Sequence, residues 1–216
     1  MKSATALLFA AAILVSVGCK SNPGTSASAG PATSSAAAEA AAAEPSEPPS
    51  VDVGLSVDQA YFAMPHRRTI WREDDSTVPT TERAYLRAAF QVLDQAVAVR
   101  VAGQQNFADQ HFDSPDIDGQ YARLIAYAQA MPVPAALASY HTKILDALAG
   151  ERQYFADWKS ERERFQFGRQ PGNHPGVRRA SSNLRAAYGE LMAKYPQESQ
   201  SNKDAFFDYH CALDFL

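Results

Sequence analysis

A chain of 216 residues with 46% hydrophobic residues, 20% charged residues and 2 cysteines is neither collagen-like, nor a disulfide scaffold, nor poor enough in apolar residues to stay unfolded throughout. Its formal net charge of -4, from 20 Lys+Arg against 24 Asp+Glu, supplies no long-range field to hold a polyanion. Nucleic acid is therefore excluded as an expected partner.

The chain opens with Lys2 and then an uncharged run from Ala4 to Val17, rich in Ala, Leu, Ile, Val and Phe. Such a run falls short of the roughly 20 residues a permanent membrane span needs, and with the preceding positive charge it predicts a signal peptide over residues 1–18. It ends in Val15-Ser16-Val17-Gly18-Cys19. This ending resembles the bacterial lipoprotein signal, in which a small residue precedes an acceptor cysteine; Ser16 stands where the family usually has Leu. The resemblance implies that Cys19 becomes the first mature residue and carries acyl chains such as palmitate. Each buried CH₂ contributes about 0.8 kcal/mol, so two or three chains give stable anchoring. Lys20 follows the acceptor in place of Asp, which by the same resemblance implies the outer rather than the inner membrane, facing the periplasm.

From Ser21 to Ser50 the sequence has no aromatic residue, Leu, Ile or Met. Such a segment cannot bury enough apolar area to offset an ordering cost of about 1–2 kcal/mol per residue. Residues 19–53 are thus predicted to be a lipidated cysteine followed by a disordered tether. A flexible chain of that length spans roughly 30 Å end to end.

All aromatic residues but Phe9 lie downstream of Val53, which predicts one folded domain over residues 54–216. Its apolar spacing is helical almost throughout. Between Leu55 and Trp71, the residues Tyr61, Phe62, Met64, Ile70 and Trp71 suit either a short helix packed on the domain or an exposed docking segment, with Pro65 interrupting. Leu86, Phe90, Leu93, Val97 and Val101 form a stripe on a helix of about 20 residues, capped by Thr80 or Thr81 and ended or bent at Gly103. Arg83, Arg87, Asp94 and Arg100 fall off that stripe. Ile117, Tyr121, Leu124 and Ala128 mark a second helix, opening after Asp116 and stopping before Pro132. The third, from about Pro134 to Arg164, carries Leu137, Tyr140, Ile144, Leu148, Phe155, Trp158 and Phe165, with Gly150 expected to mark a bend. After a loop over residues 168–176, Val177, Leu184, Tyr188, Leu191 and Tyr195 define a fourth helix. Ser201 and Asp204 suggest a capping-box variant that opens a short last helix through Phe206, Phe207, Cys211 and Phe215. Helices of this kind bury their stripes only against one another, so the predicted fold is all-α, an antiparallel bundle of four to five helices after the tether.

The sequence lacks the familiar spacings of catalytic and metal-ligating residues. The residues three before His66, His111, His141, His174 and His210 are Ala63, Ala108, Ala138, Pro171 and Phe207, so the Glu-x-x-His ligand pair of di-metal bundles is missing. Asp116 and Asp118 before Gly119 resemble part of a calcium loop, but Ser114 and Ile125 occupy the positions where its first acid and closing Glu belong. No phosphate-binding glycine loop or nucleophile elbow occurs. His141 is expected as a hydrogen-bonded core histidine, and Cys211 as a buried small hydrophobe without a disulfide partner.

These features predict a membrane-anchored, periplasm-facing lipoprotein that acts as a non-catalytic protein-binding or scaffold module, with no cofactor and an envelope protein as its partner. Two alternatives stay open: an immunity or inhibitor lipoprotein that neutralises a toxin or hydrolase, and a ligand carrier or enzyme with a pocket between helices. Arg67, Arg68 and Trp71, with Arg178 and Arg179, are the candidate interaction surface. Such basic pairs are ordinarily solvated faces, and they gain affinity for headgroups or an acidic partner only where they converge.

Overall fold

The computed structural model describes residues 46–64, 66–165 and 170–215, and within them six α-helices and no strand: α1 (Val57–Ala63), α2 (Thr80–Ala108), α3 (Ile117–Ala130), α4 (Ala138–Glu161), α5 (Pro175–Lys194) and α6 (Gln200–Leu213). The signal run, Cys19, the tether up to residue 45 and Pro65 lie outside the described residues. The helices form the expected bundle, with α1 as the additional short element.

α2 is the hub, touched by α1, α3, α4 and α6, while α5 packs on α4 and α6. This placement explains why the α2 stripe is wider than its spacing suggested. Ala88, Ala89, Val92, Ala96, Ala98 and Val99 are buried together with the stripe, and so are the off-stripe Asp94 and Arg100. A helix covered on most sides needs partners for such charges. Asp94 accepts from the Tyr61 hydroxyl at 2.9 Å and from Arg68, and Arg100 donates to the Ala212 carbonyl at 2.8 Å.

The expected end of α2 at Gly103 is corrected: the helix runs on to Ala108. A Cβ at Gly103 would lie 2.7 Å from Cε1 of Phe155, so the glycine makes room for an α4 ring against the α2 backbone. The helix closes at Gln110, whose φ of 64° is left-handed. The Gln110 N–H donates to the Phe107 carbonyl at 3.1 Å and the His111 N–H to the Asn106 carbonyl at 2.7 Å, the pairing of a Schellman cap usually closed by glycine. Gln110→Gly is expected to raise stability by about 0.5–1 kcal/mol, because relief of the left-handed side-chain clash outweighs the added freedom of the unfolded chain. An unchanged or lower urea midpoint would contradict this.

Other boundaries follow local chemistry. Asp116 caps α3 as expected, accepting from the Gly119 N–H at 3.2 Å. α4 runs unbroken through Gly150, which marks a crossing rather than a bend. A Cβ there would lie 2.5 Å from the Gly176 carbonyl oxygen, and one at Gly176 would lie 2.6 Å from that of Gly150, so α4 and α5 approach backbone to backbone. The α6 cap is Ser199, not Ser201, with its hydroxyl accepting from the Asn202 N–H at 3.2 Å. α6 buries Ala205, Phe206, Tyr209, Ala212 and Leu213, whereas Phe207 remains 47% exposed.

Packing begins upstream of Gly54. The Val51 N–H donates to Gln95 Oε1 at 3.2 Å, and Asp52 exchanges two bonds with the Gln120 amide at 3.1 and 2.9 Å, which seats buried Val53 against the bundle.

Candidate functional site

The segment between α1 and α2 carries three of the five residues singled out from the sequence. From His66 to Val78 it has no regular structure, and several of its main-chain groups are satisfied by side chains of α6 and the turn before it, while Arg83 of α2 holds the Ser76 and Val78 carbonyls. Asp208 accepts from the Thr69 N–H at 2.9 Å. Asn202 accepts from the Arg72 N–H at 2.9 Å and donates to the Arg72 carbonyl at 3.1 Å. Glu198 accepts from the N–H groups of Thr77 and Val78 at 2.8 and 3.1 Å and from the Ser76 hydroxyl. These polar residues would read as a solvated helix face in sequence, yet Glu198, Asn202 and Asp208 are all buried.

Held in this way, the first arginine pair is neutralised from within. Arg67 donates to Asp204 at 3.0 Å and to Asp208 at 3.4 Å. Arg68 bridges Asp58 and Asp94, with its guanidinium 5.1 Å from the Tyr61 ring centre. Trp71 does not belong to a surface: it is 7% exposed and packs edge-on against Phe90 at 5.5 Å. Of the two readings of this segment, packing on the bundle holds for Tyr61, Met64 and Trp71, while Phe62 and Ile70 stay exposed. Arg178 and Arg179 are exposed at the start of α5, Arg178 donating to the Asn173 carbonyl. The sequence-selected set thus divides into an anchored group and an exposed pair.

Four histidines serve as structural hydrogen-bonding groups. His141 Nδ1 meets the Tyr85 hydroxyl at 3.0 Å, consistent with the expected bonded histidine, although the ring is only half-buried. His174 caps α5 through Nδ1 and donates from Nε2 to Asp157 at 3.0 Å. His66 lies 3.1 Å from the Asp208 carbonyl. His210 gives its Nδ1 proton to the Phe206 carbonyl at 2.6 Å, and burial pushes its pKa down to about 4. Among the described residues no three His, Cys, Asp or Glu side chains come together to hold a metal ion.

Glu151 is the core's most unusual acid. Its carboxyl is fully buried, accepts only the Tyr121 hydroxyl at 2.7 Å, and leaves Oε1 without a protein partner. Burial raises its pKa to about 8, against the opposing influence of Arg100 and Tyr121.

Sequence reasoning missed an open groove of about 230 Å³ between α5 and α6, lined by Leu184, Arg185, Tyr188, Phe207, His210, Cys211 and Asp214. Cys211 is half-buried on this groove rather than sunk in the core, and burial together with Asp214 and Asp208 pushes its thiol pKa up, away from a reactive thiolate. Phe207, 47% exposed beside the buried Phe206, marks the groove, and nothing in the sequence distinguishes the two rings. No known family, curated protein or solved structure matches this chain.

Proposed function

We propose that this chain is a lipoprotein, anchored through Cys19 to the outer membrane and facing the periplasm, whose helical domain binds an envelope protein and performs no chemistry of its own. The observation that carries the reading is the uncharged run ending at Gly18-Cys19 and followed by a polar Ala/Ser/Pro-rich stretch. The non-catalytic reading draws on the site chemistry: His141, His174 and His210 are engaged in structural hydrogen bonds, and the Cys211 thiol is pushed toward its protonated form. Arg178 and Arg179 are the exposed cations offered to an acidic partner.

The test expresses the full chain and its Cys19→Ser variant in a bacterial host supplied with labelled palmitate. The wild type is expected to incorporate label and sediment with outer membranes, and the variant to incorporate none. An unlabelled wild type would overturn the anchor. Crosslinking of the anchored chain in intact envelopes then addresses the partner. A one-to-one product with a toxic hydrolase would favour the inhibitor alternative over a scaffold.

A further inference from the structure

Residues 46–53 have the composition of a tether, yet they lie on α2 and α3 in the manner of a bound peptide. Gln120 is 4% exposed and spends its whole amide on one residue of this strap: its Oε1 accepts from the Asp52 N–H at 3.1 Å and its Nε2 donates to the Asp52 carbonyl at 2.9 Å. Arg123 donates to the same Oε1, which fixes the amide in that orientation. Further along the same face of α3, the Tyr127 hydroxyl donates to the Ser46 carbonyl, and Gln95 of α2 accepts from the Val51 N–H at 3.2 Å. Two helices thus read the main chain of the strap with side chains.

The side chains of the strap sort by position. Pro48 and Val53 are buried and Val51 is half-buried against the core, while Ser46, Glu47, Ser50 and Asp52 are exposed. Successive side chains of an extended chain point to opposite sides, so a surface that takes Val51 and Val53 leaves Asp52 in water. Pro48 and Pro49 fix their own φ at about −65° and hold the residue before each of them extended, which removes part of the entropy a free peptide would lose on binding. Each contact is made to a main-chain group or to a proline or valine, so a separate chain of the same sequence would present the same groups.

The strap is also built to leave. The segment from His66 to Val78 sinks Trp71 into the aromatic core, whereas the strap contributes no ring and joins α1 through Gly54, at a left-handed φ of 70° with open space around it. A segment with so few buried contacts opens at a lower free-energy cost than the whole domain. We propose that the face formed by Gln95, Gln120 and Tyr127 is a peptide-binding site which residues 46–53 occupy in cis, and that its ligand in trans is an extended segment of the protein partner with paired prolines followed by alternate valines. The strap is then a built-in competitor that the partner's segment displaces. This deepens the protein-binding reading above and rests on it for the existence of a partner.

The experiment uses the purified full chain, its Pro48→Ser, Val53→Ser double variant, and a blocked synthetic peptide Ser-Glu-Pro-Pro-Ser-Val-Asp-Val, with the side-chain amide signals of Gln95 and Gln120 followed by NMR. The variant weakens the strap and leaves the receptor face intact, and unchanged amide signals from α4 to α6 report that it is folded. It is expected to bind the peptide saturably with shifts at Gln120, and the wild type about tenfold more weakly, because the attached strap competes at a roughly millimolar effective concentration. A peptide with N-methyl-Asp at its seventh position lacks the proton that Gln120 accepts and should bind about tenfold more weakly than the parent. No binding to the variant, equal binding to both proteins, or undiminished binding of the N-methyl peptide would each overturn the site. In the wild type, hydrogen exchange at the Val51 and Asp52 amides is expected to be insensitive to low urea, as local opening requires. Exchange of these amides only through global unfolding would make the strap a fixed part of the core and sink the proposal. Purified protein and synthetic peptide separate this result from the tests of the anchor and of the envelope partner.

Discussion

Glu198→Ala is expected to lower the unfolding free energy by about 3–5 kcal/mol, seen as a reduced urea midpoint with unchanged slope. The carboxylate is 3% exposed and gathers four donors: the Ser76 hydroxyl, the N–H groups of Thr77 and Val78, and Asn202 Nδ2 at 2.8 Å. Removing it strands the Thr77 N–H and leaves the Val78 N–H only the Ser76 hydroxyl at 3.1 Å, in the turn leading to α2, where Pro79 offers no side-chain cap. Glu198→Gln keeps one acceptor oxygen for the turn but sets an amide donor among donors, so about half the loss is expected. Burial alone would raise the Glu198 pKa, but the donors outweigh it and hold the carboxyl below the usual range. Its stabilisation is therefore complete above a pH of about 4.5 and is lost as pH falls through the folded-state value. A loss below about 1 kcal/mol for Glu198→Ala would sink the idea that this residue fixes the turn.

That residue also shows where the sequence stops informing. The helices of the bundle were legible because a stripe such as Leu86, Phe90, Leu93, Val97 and Val101 is a local pattern with one burial solution. The segment from His66 to Val78 has no period, and what holds it is about 130 residues away in the chain, as in the exchange between Arg72 and Asn202. Polar residues spaced along α6 carry no mark that distinguishes a buried acceptor from a solvated one. The same difficulty put Trp71 on a surface and Asp94 and Arg100 off the core: periodicity assumes one covered face, and α2 is covered on most of its faces. Chain boundaries failed for a related reason. Ser199 and Ser201 are equally good caps in isolation, and packing of Phe206 and Tyr209 against Phe90, at 5.7 and 4.6 Å, sets which turn of α6 comes first. The groove went unseen because Phe207, read with Phe206 as part of the apolar last helix, carries no mark in the sequence of its 47% exposure.

The pH dependence of stability offers the sharper test of the core, because two buried groups bracket it. Glu151 has an ordinary pKa of 4.5 when unfolded and about 8 when folded, so the folded state holds a proton that the unfolded state releases between those values. Stability from this group is full below pH 4.5 and is lost as pH rises toward 8. His210 runs the other way, from 6.5 unfolded to about 4 folded, so its contribution is full above pH 6.5 and is lost as pH falls toward 4. Between 4.5 and 6.5 the two slopes cancel, which predicts a plateau with losses on both sides. Glu151→Gln keeps an acceptor for the Tyr121 hydroxyl and removes the titrating proton. The variant is therefore expected to gain on the wild type as pH rises, by about 3.5 kcal/mol between pH 5 and pH 8, whatever its stability at pH 5. Taking the difference between two pH values cancels any fixed penalty of the amide. Urea unfolding of both proteins at the two pH values decides it. Parallel pH curves would mean that Arg100, already donating to the Ala212 carbonyl, nevertheless keeps Glu151 ionised in the folded core.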